Sequence, residues 1–188
     1  MTPGRFRNVG RGVRIVFAGR KTALGHLLLA ATERGLCAVR FGDSAAAVRA
    51  ELEQAFPRAT LAEDRPALAA YFERIEALLA GEWTPTRLDI AATPFQARVW
   101  QALQRIPRGA TVSYGELART VGRPTAVRAV AAACAANPVA LVVPCHRVVG
   151  KDGTLTGYRW GVKRKRALLA LEGAPVPERR GRRAKAPR

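Results

Sequence analysis

The feature that most constrains this chain is a pair of helix-start signals close together in its C-terminal half. In "TPFQ", Thr93 can act as N-cap, Pro94 fits the first helical position, and Gln96 can return a hydrogen bond. In "SYGE", Ser113 and Glu116 repeat the device. Behind the first box, Phe95, Val99, Leu103 and Ile106 recur at helical spacing until "PRG" ends the segment. Behind the second, "YGELARTV" predicts a short helix. Gly122-Arg123-Pro124 then forces a tight turn, and "TAVRAVAAACAAN" predicts a further helix ending at Asn137-Pro138. Short helix, turn and longer helix together predict a helix-turn-helix. The second helix is nearly all alanine, including Ala126 and Ala129, with Arg128 as its one long cation. Base reading in a major groove would call for Asn, Gln or several Arg. A smooth face suits either close approach to a sugar–phosphate backbone or tight internal packing; Arg128 favours the first.

The N-terminal half has a different period. "VRIVFA", "LGHLLLAA" and "GLCAVRF" are short, apolar or alternating runs broken by "GRKT" and "TERG", which predicts strands. Ser44 can cap a helix over "AAAVRAELEQAF" that stops before Pro57. Asp64 can cap another over "RPALAAYFERIEALLA", with Leu68, Phe72, Ile75 and Leu79 on one face and Gly81 as its stop. "EWTPTRLDIAA" reads as a connector with a short strand. A last helix over residues 161–172 offers Leu168, Leu169 and Leu171 for burial and ends at Gly173. The expected fold class is α/β. A small mixed α/β domain spans residues 1–91, with 1–12 flexible. A mainly helical domain spans 92–173, and a basic disordered tail spans 174–188.

The 188 residues are 48% hydrophobic, enough for a packed core, and no apolar run approaches the roughly 20 residues of a membrane helix. The basic N-terminus lacks the apolar stretch and cleavage site of a secretory signal, so none is expected. Lys and Arg exceed Asp and Glu by 32 to 14, a net charge of +18. A GC-rich coding bias explains Arg in place of Lys, but not this excess. Nucleic acid is the expected polyanion. Three widely spaced cysteines make a disulfide framework improbable and fit a reducing cytoplasm. No CxxC pair is present, so neither zinc nor another cofactor is expected.

Chemistry concentrates in "PVALVVPCHRVVG". Cys37 and Cys134 sit in apolar settings and read as inert small hydrophobes. Cys145 differs: Pro144 precedes it, and His146 and Arg147 follow. A thiol attacks as thiolate, and a nearby base or cation promotes that form. Adjacent side chains of an extended segment point apart, so a direct Cys145–His146 bond is awkward. A water between them or a bend at Pro144 reconciles the pair. Reactive site and structural turn both remain open on spacing alone.

"PCHRVVG" together with "TPFQARVWQALQRIPRGATVSYGELA", "GRPTAVRAVAAACAANPV" and "GTLTGYRWGVKRKRALLALEG" closely resembles the O6-alkylguanine-DNA alkyltransferases, especially bacterial ones. The resemblance runs from about Thr93 to Gly173 and is looser in the N-terminal half. It implies a ribonuclease-H-like N-terminal domain and a monomer acting on double-stranded DNA that contains O6-alkylguanine. The helix-turn-helix would dock in the minor groove and the damaged base would flip into a pocket. Arg128 would enter the stack, with Tyr114, Ala126, Ala129 and Arg147 at the DNA. Glu172 would orient His146, and His146 would take the Cys145 proton through water. The thiolate would then accept the alkyl group irreversibly, with Tyr114 lending a proton to the guanine. Asn137 would hold the turn before Cys145, and Val148, Tyr158, Arg159, Trp160 and Lys165 would line the pocket. Trp160, where some other members carry Gly, implies a narrower pocket. Two other readings are a non-catalytic lesion-binding protein, against which Cys145 argues, and a cysteine hydrolase, which would need the distant His26.

Overall fold

The computed structural model describes residues 12–175. The expectations of a flexible N-terminus and a disordered tail fall almost wholly outside these residues. Four strands, β1 (Arg14–Thr22), β2 (Gly25–Thr32), β3 (Gly35–Gly42) and β4 (Thr60–Glu63), form one sheet in the order β3-β2-β1-β4. The first three strands pair antiparallel, and β4 lies parallel to β1. Strands β1 to β3 fall in the three runs that predict strands; β4, which makes the sheet mixed, lies where none was predicted. Helix α1 (Ala45–Ala55) crosses from β3 to β4, and Ser44 caps it by accepting a bond from the Ala47 N–H.

The predicted helix after Asp64 divides in two. Asp64 accepts from the Ala67 N–H, but Pro66–Leu68 is one 3₁₀ turn and the α-helix α2 spans Ala69–Ala80. A proline in this position lacks only an N–H that a first turn leaves unpaired, and the Leu68 N–H closes the tighter turn onto the Arg65 carbonyl at 3.1 Å. Phe72 and Ile75 are buried as the stripe predicted, and Gly81 stops the helix at φ 104°.

The C-terminal half contains α3 (Pro94–Gln104), β5 (Val112–Ser113), α4 (Tyr114–Thr120), α5 (Val127–Ala135), β6 (Val148–Val149) and α6 (Val162–Leu171). Both capping boxes form. Thr93 and Gln96 exchange side-chain–backbone bonds at the start of α3, and Ser113 and Glu116 do so at α4. Helices α4 and α5 are joined by the Gly122-Arg123-Pro124 turn, with Gly122 at φ 72°. Leu168 and Leu169 are buried on α6, but Leu171 is 56% exposed, one residue past the inward face.

The halves are not separate bodies. The outer edge of β3 pairs with two segments of the other half. The Leu36 N–H donates to the Arg87 carbonyl, and the Asp89 N–H returns a bond to Leu36. Further along, the Val39 N–H donates to the Pro138 carbonyl and the Ala140 N–H to the Val39 carbonyl. One apolar cluster runs from Leu29, Val39 and Phe41 through Ile75 to Val99, Leu103, Val130, Cys145 and Leu168. A second fills the space under α1 with Ile15, Phe17, Leu28, Val48 and Leu52. The sheet edge that would otherwise be open thus braces the segment leading to Cys145. Among the described residues no helix is long and apolar enough to cross a membrane.

Candidate active site

Residues 137–149 do not form the strand that their apolar character suggests. After the two bonds to β3, Leu141 takes φ 69°, a left-handed conformation rare for a branched side chain. Such a residue costs about 1–3 kcal/mol and persists only where its surroundings fix it. Here the fixing agent is Asn137, fully buried at the end of α5. Its amide nitrogen donates to the Val143 carbonyl at 2.8 Å and to the Cys145 Sγ at 3.3 Å, and its oxygen accepts from the Val139 N–H at 3.0 Å. Pro144 precedes a single 3₁₀ turn, Cys145–Arg147, and β6 then pairs with β5. The bend expected at Pro144 is therefore present.

Cys145 is 5% exposed and His146 1%. Burial pushes the Cys145 thiol up, and only partly do the Asn137 donor and the Lys165 charge oppose it, leaving about 11. The resting group is a thiol, and attack requires a base. His146 meets that need by position. Its Nε2 lies 3.0 Å from the Glu172 Oε1, so the neutral ring donates there and leaves Nδ1 as acceptor; Nδ1 has no protein partner. Burial lowers the His146 pKa despite the Glu172 carboxylate, which keeps the ring neutral and able to accept a proton. For Glu172, burial alone would raise the pKa, but bonds from His146 and Arg147 bring it down to about 2.

Arg147 corrects one expectation. Its Nε and one terminal nitrogen donate to Glu172 at 2.8 and 2.7 Å, and the other terminal nitrogen reaches the Ile106 carbonyl at 2.6 Å. The guanidinium expected at the DNA is thus engaged inside the protein, with its side chain 11% exposed. Adjacent to His146 on a 3₁₀ turn, it grips the same carboxylate and fixes the histidine's partner.

Lys165 is fully buried, and its ammonium donates to the carbonyls of Val148 at 2.5 Å, Thr156 at 2.8 Å and Gly157 at 3.4 Å. Burial brings its pKa down to about 8. It lies 6.0 Å from the centre of the Tyr114 ring, on the first residue of α4. Two backbone segments are thereby tied to one cation, β6 through Val148 and the 150–161 loop through Thr156 and Gly157, with the Tyr114 ring at the start of α4 beside it. Tyr158 and Trp160 belong to that loop. Tyr158 meets His146 edge-on with ring centres 6.5 Å apart, and Trp160 meets Tyr158 at 5.2 Å. Arg159 between them is exposed.

Cys145, His146, Glu172, Asn137, Val148, Lys165, Tyr114, Tyr158 and Trp160 therefore converge. Arg128 and Ala129 instead lie exposed on the outer face of α5, with Ala126 partly buried at its start. The remaining thiols, Cys37 and Cys134, are free and buried, and burial raises each to about 12. Among the described residues no group of three or more His, Cys, Asp or Glu could hold a metal ion. A cleft of about 210 Å³ opens elsewhere, between α2 and the connector beside Trp83, and offers only Arg74 as a charged group. The contacts that sequence reading missed are Asn137 to sulfur and Arg147 to Glu172. Neither has a local pattern, because both partners are set by the fold.

A buried cysteine with a neutral histidine and an ionised glutamate, beside two helices that expose Arg119 and Arg128, defines a protein built for nucleophilic attack by sulfur. Two sequence profiles identify which kind. The DNA-binding domain of 6-O-methylguanine DNA methyltransferase matches residues 94–174, and the ribonuclease-like domain of the same proteins matches residues 15–92. The chain belongs to the O6-methylguanine DNA methyltransferase family. It is 50% identical over 116 residues to the methylated-DNA–protein-cysteine methyltransferase of Mycobacterium bovis, covering 61% of this chain and 70% of that one. It is 48% identical over 174 residues to the bifunctional transcriptional activator/DNA repair enzyme Ada of Escherichia coli, covering 92% of this chain. That alignment covers 49% of the Escherichia coli protein, so the chain spans about half its length. The crystal structure of Mycobacterium tuberculosis OGT in complex with DNA superposes with a TM-score of 0.72 at 39% identity, covering 86% of this chain and 96% of that one.

Proposed function

We propose that this protein repairs DNA by transferring the alkyl group of O6-alkylguanine in duplex DNA to Cys145, once per molecule. The observation that carries the reading is the Cys145–His146–Glu172 arrangement. The thiol proton passes to His146 Nδ1 through a water, since the two side chains make no direct bond. Glu172 stays ionised and stabilises the imidazolium that forms. The Sγ–carbon bond forms as the carbon–O6 bond breaks, the electron pair leaves with the guanine, and a proton lent by the Tyr114 hydroxyl restores the normal base, balanced by the thiol proton that His146 took up. Lys165 and the Asn137 amide favour the transient thiolate. The thioether has no route to hydrolysis, so the protein is consumed. O4-alkylthymine presents the same carbon–oxygen bond and is a second candidate substrate.

The exposed face of α5 is the proposed DNA surface. Helices α4 and α5 act as a helix-turn-helix in the minor groove. The small side chains of Ala126 and Ala129 let the backbone approach, Arg128 fills the place of the flipped base, and Tyr114 contacts the flipped nucleotide from the start of α4. In this reading residues 1–91 are a supporting domain, residues 92–173 carry DNA binding and chemistry, and the protein works as a monomer in the cytoplasm. The net charge of +18 and the relatives named for action on methylated DNA support it.

The test is a duplex containing one O6-methylguanine. The expected product is protein heavier by one methyl group, carried on the peptide containing Cys145. Repair that leaves Cys145 unmodified would overturn the proposal. Arg128→Ala is expected to slow repair in duplex while sparing the reaction with the free alkylated base; equal loss in both would place Arg128 in the fold or the chemistry instead.

A further inference from the structure

The indole Nε1 of Trp160 and the hydroxyl of Tyr158 are both buried, and neither has a protein partner. Native interiors rarely leave such donors unmet. The protein satisfies its other buried indole: Trp100 Nε1 donates to the Ala133 carbonyl at 2.8 Å. Among the described residues four buried side-chain nitrogens or oxygens lack a partner: three of them, these two and His146 Nδ1, lie beside the nucleophile, and the fourth is Arg40 Nε on β3. Trp160 packs in the apolar cluster that includes Cys145 and Val148, and Tyr158 meets the His146 ring edge-on. The loop that carries them is held firmly. The Trp160 carbonyl accepts from Arg164 at 2.8 Å, the Tyr158 carbonyl from the Gly161 N–H at 2.9 Å, and the Thr156 carbonyl from Lys165. Donors on so fixed a loop are positioned in advance and wait for an acceptor.

We propose that Tyr158 and Trp160 donate hydrogen bonds to the transferred group itself, so that the site favours O6 substituents that end in an acceptor, such as 2-hydroxyethyl, over alkyl chains of equal length. This rests on the alkyl-transfer reading above. A propyl group fills the same space as a hydroxyethyl group but offers neither donor an acceptor. A site with buried donors rejects the apolar isostere far more strongly than a plain apolar pocket rejects a change in size. The cations of Lys165 and Arg159 near the sulfur reinforce the preference, since each attracts an electronegative atom. The chemistry is otherwise unchanged. Sulfur attacks the carbon bound to O6, that carbon–oxygen bond breaks with its electron pair going to guanine, and the distal hydroxyl passes intact to the cysteine.

The experiment measures single-turnover rates on duplexes carrying O6-methyl-, O6-(2-hydroxyethyl)- or O6-propylguanine. The protein is wild type, Tyr158→Phe and Trp160→Phe. The expected wild-type rate ratio of hydroxyethyl to propyl is about tenfold or more. Each variant is expected to bring the ratio down severalfold, toward the value set by the adducts alone. The ratio within one protein cancels any common loss of folding or chemistry. A wild-type ratio near one overturns the proposal, as does a high ratio that both variants retain. The methyl substrate separates the two levels: no transfer of methyl to Cys145 overturns the alkyl-transfer reading itself, whereas methyl transfer with no hydroxyethyl preference overturns only this inference.

Discussion

Glu172 carries more of the site than any other single side chain, because it holds both His146 and Arg147. Its folded pKa of about 2 lies below the value near 4.3 of an unfolded glutamate. The stabilisation is therefore complete above that unfolded value and is lost as pH falls toward 2, because the unfolded chain binds the proton first. Glu172→Gln is expected to flatten this part of the stability–pH curve, read as urea midpoints between pH 5 and about 2.5. An unchanged acid limb would mean that the carboxylate is not held as the geometry shows. Cys145 makes a second prediction. With its thiol near 11, alkylation by iodoacetamide rises with pH beyond the range where a free cysteine has levelled off. Lys165→Met removes the buried cation and is expected to lower that rate severalfold at pH 7.5, where the ammonium is still largely charged. The identities of Cys145, His146 and Glu172 were legible through motif and resemblance. The grip of Arg147 on Glu172 was not: an arginine beside a reactive cysteine in a basic protein reads as a DNA contact until the fold brings residues 147 and 172 together.

Helix starts were the most legible elements because a capping box is complete within four residues. Thr93→Ala and Ser113→Ala are each expected to cost about 1 kcal/mol of stability, measured by chemical denaturation. Their functional effects should differ. Ser113 caps the helix whose first residue is Tyr114, so its loss frees that ring from its place beside Lys165; Thr93 caps α3, whose contribution is packing through Val99 and Leu103. Ser113→Ala is therefore expected to slow Cys145 alkylation more than Thr93→Ala does at equal loss of stability. The 3₁₀ turn at Cys145–Arg147 lay beyond sequence reading. Its apolar flanks match a buried strand, and what bends them is the long-range pairing of Pro138 and Ala140 with β3, together with the bonds of Asn137. The break in the helix after Asp64 has no local signal: proline at a first helical position is compatible with an α-turn, as Pro94 shows in α3, and equally with the 3₁₀ turn found at Pro66.

At the scale of the molecule, composition pointed to a polyanion partner and the change of period divided the chain, but neither revealed how the halves are joined. Two arginines of the C-terminal half do much of that joining. Arg108 donates to the carbonyls of Leu78 and Leu79 at the end of α2 and to Leu171 at the end of α6, so the last turns of two helices share one cation. Arg164 reaches from α6 to the Leu24 carbonyl in the β1–β2 hairpin at 2.6 Å, to the Trp160 carbonyl, and to Asp43. These partners are not equivalent. The Asp43 side chain is 95% exposed, so its ion pair is screened by water and worth little. The carbonyl bonds come from a guanidinium that is mostly buried, and losing them leaves backbone acceptors unmet. Because one apolar cluster also spans both halves, the protein is expected to unfold in a single transition. Asp43→Ala is then expected to shift the denaturation midpoint only slightly. Arg164→Ala should lower stability by about 2 kcal/mol and slow Cys145 alkylation as well, since it releases the loop carrying Tyr158 and Trp160. Equal shifts from the two substitutions would show that the ion pair, not the carbonyl bonds, joins the halves. Loss of stability with unchanged alkylation would show that the loop keeps its place without the N-terminal sheet.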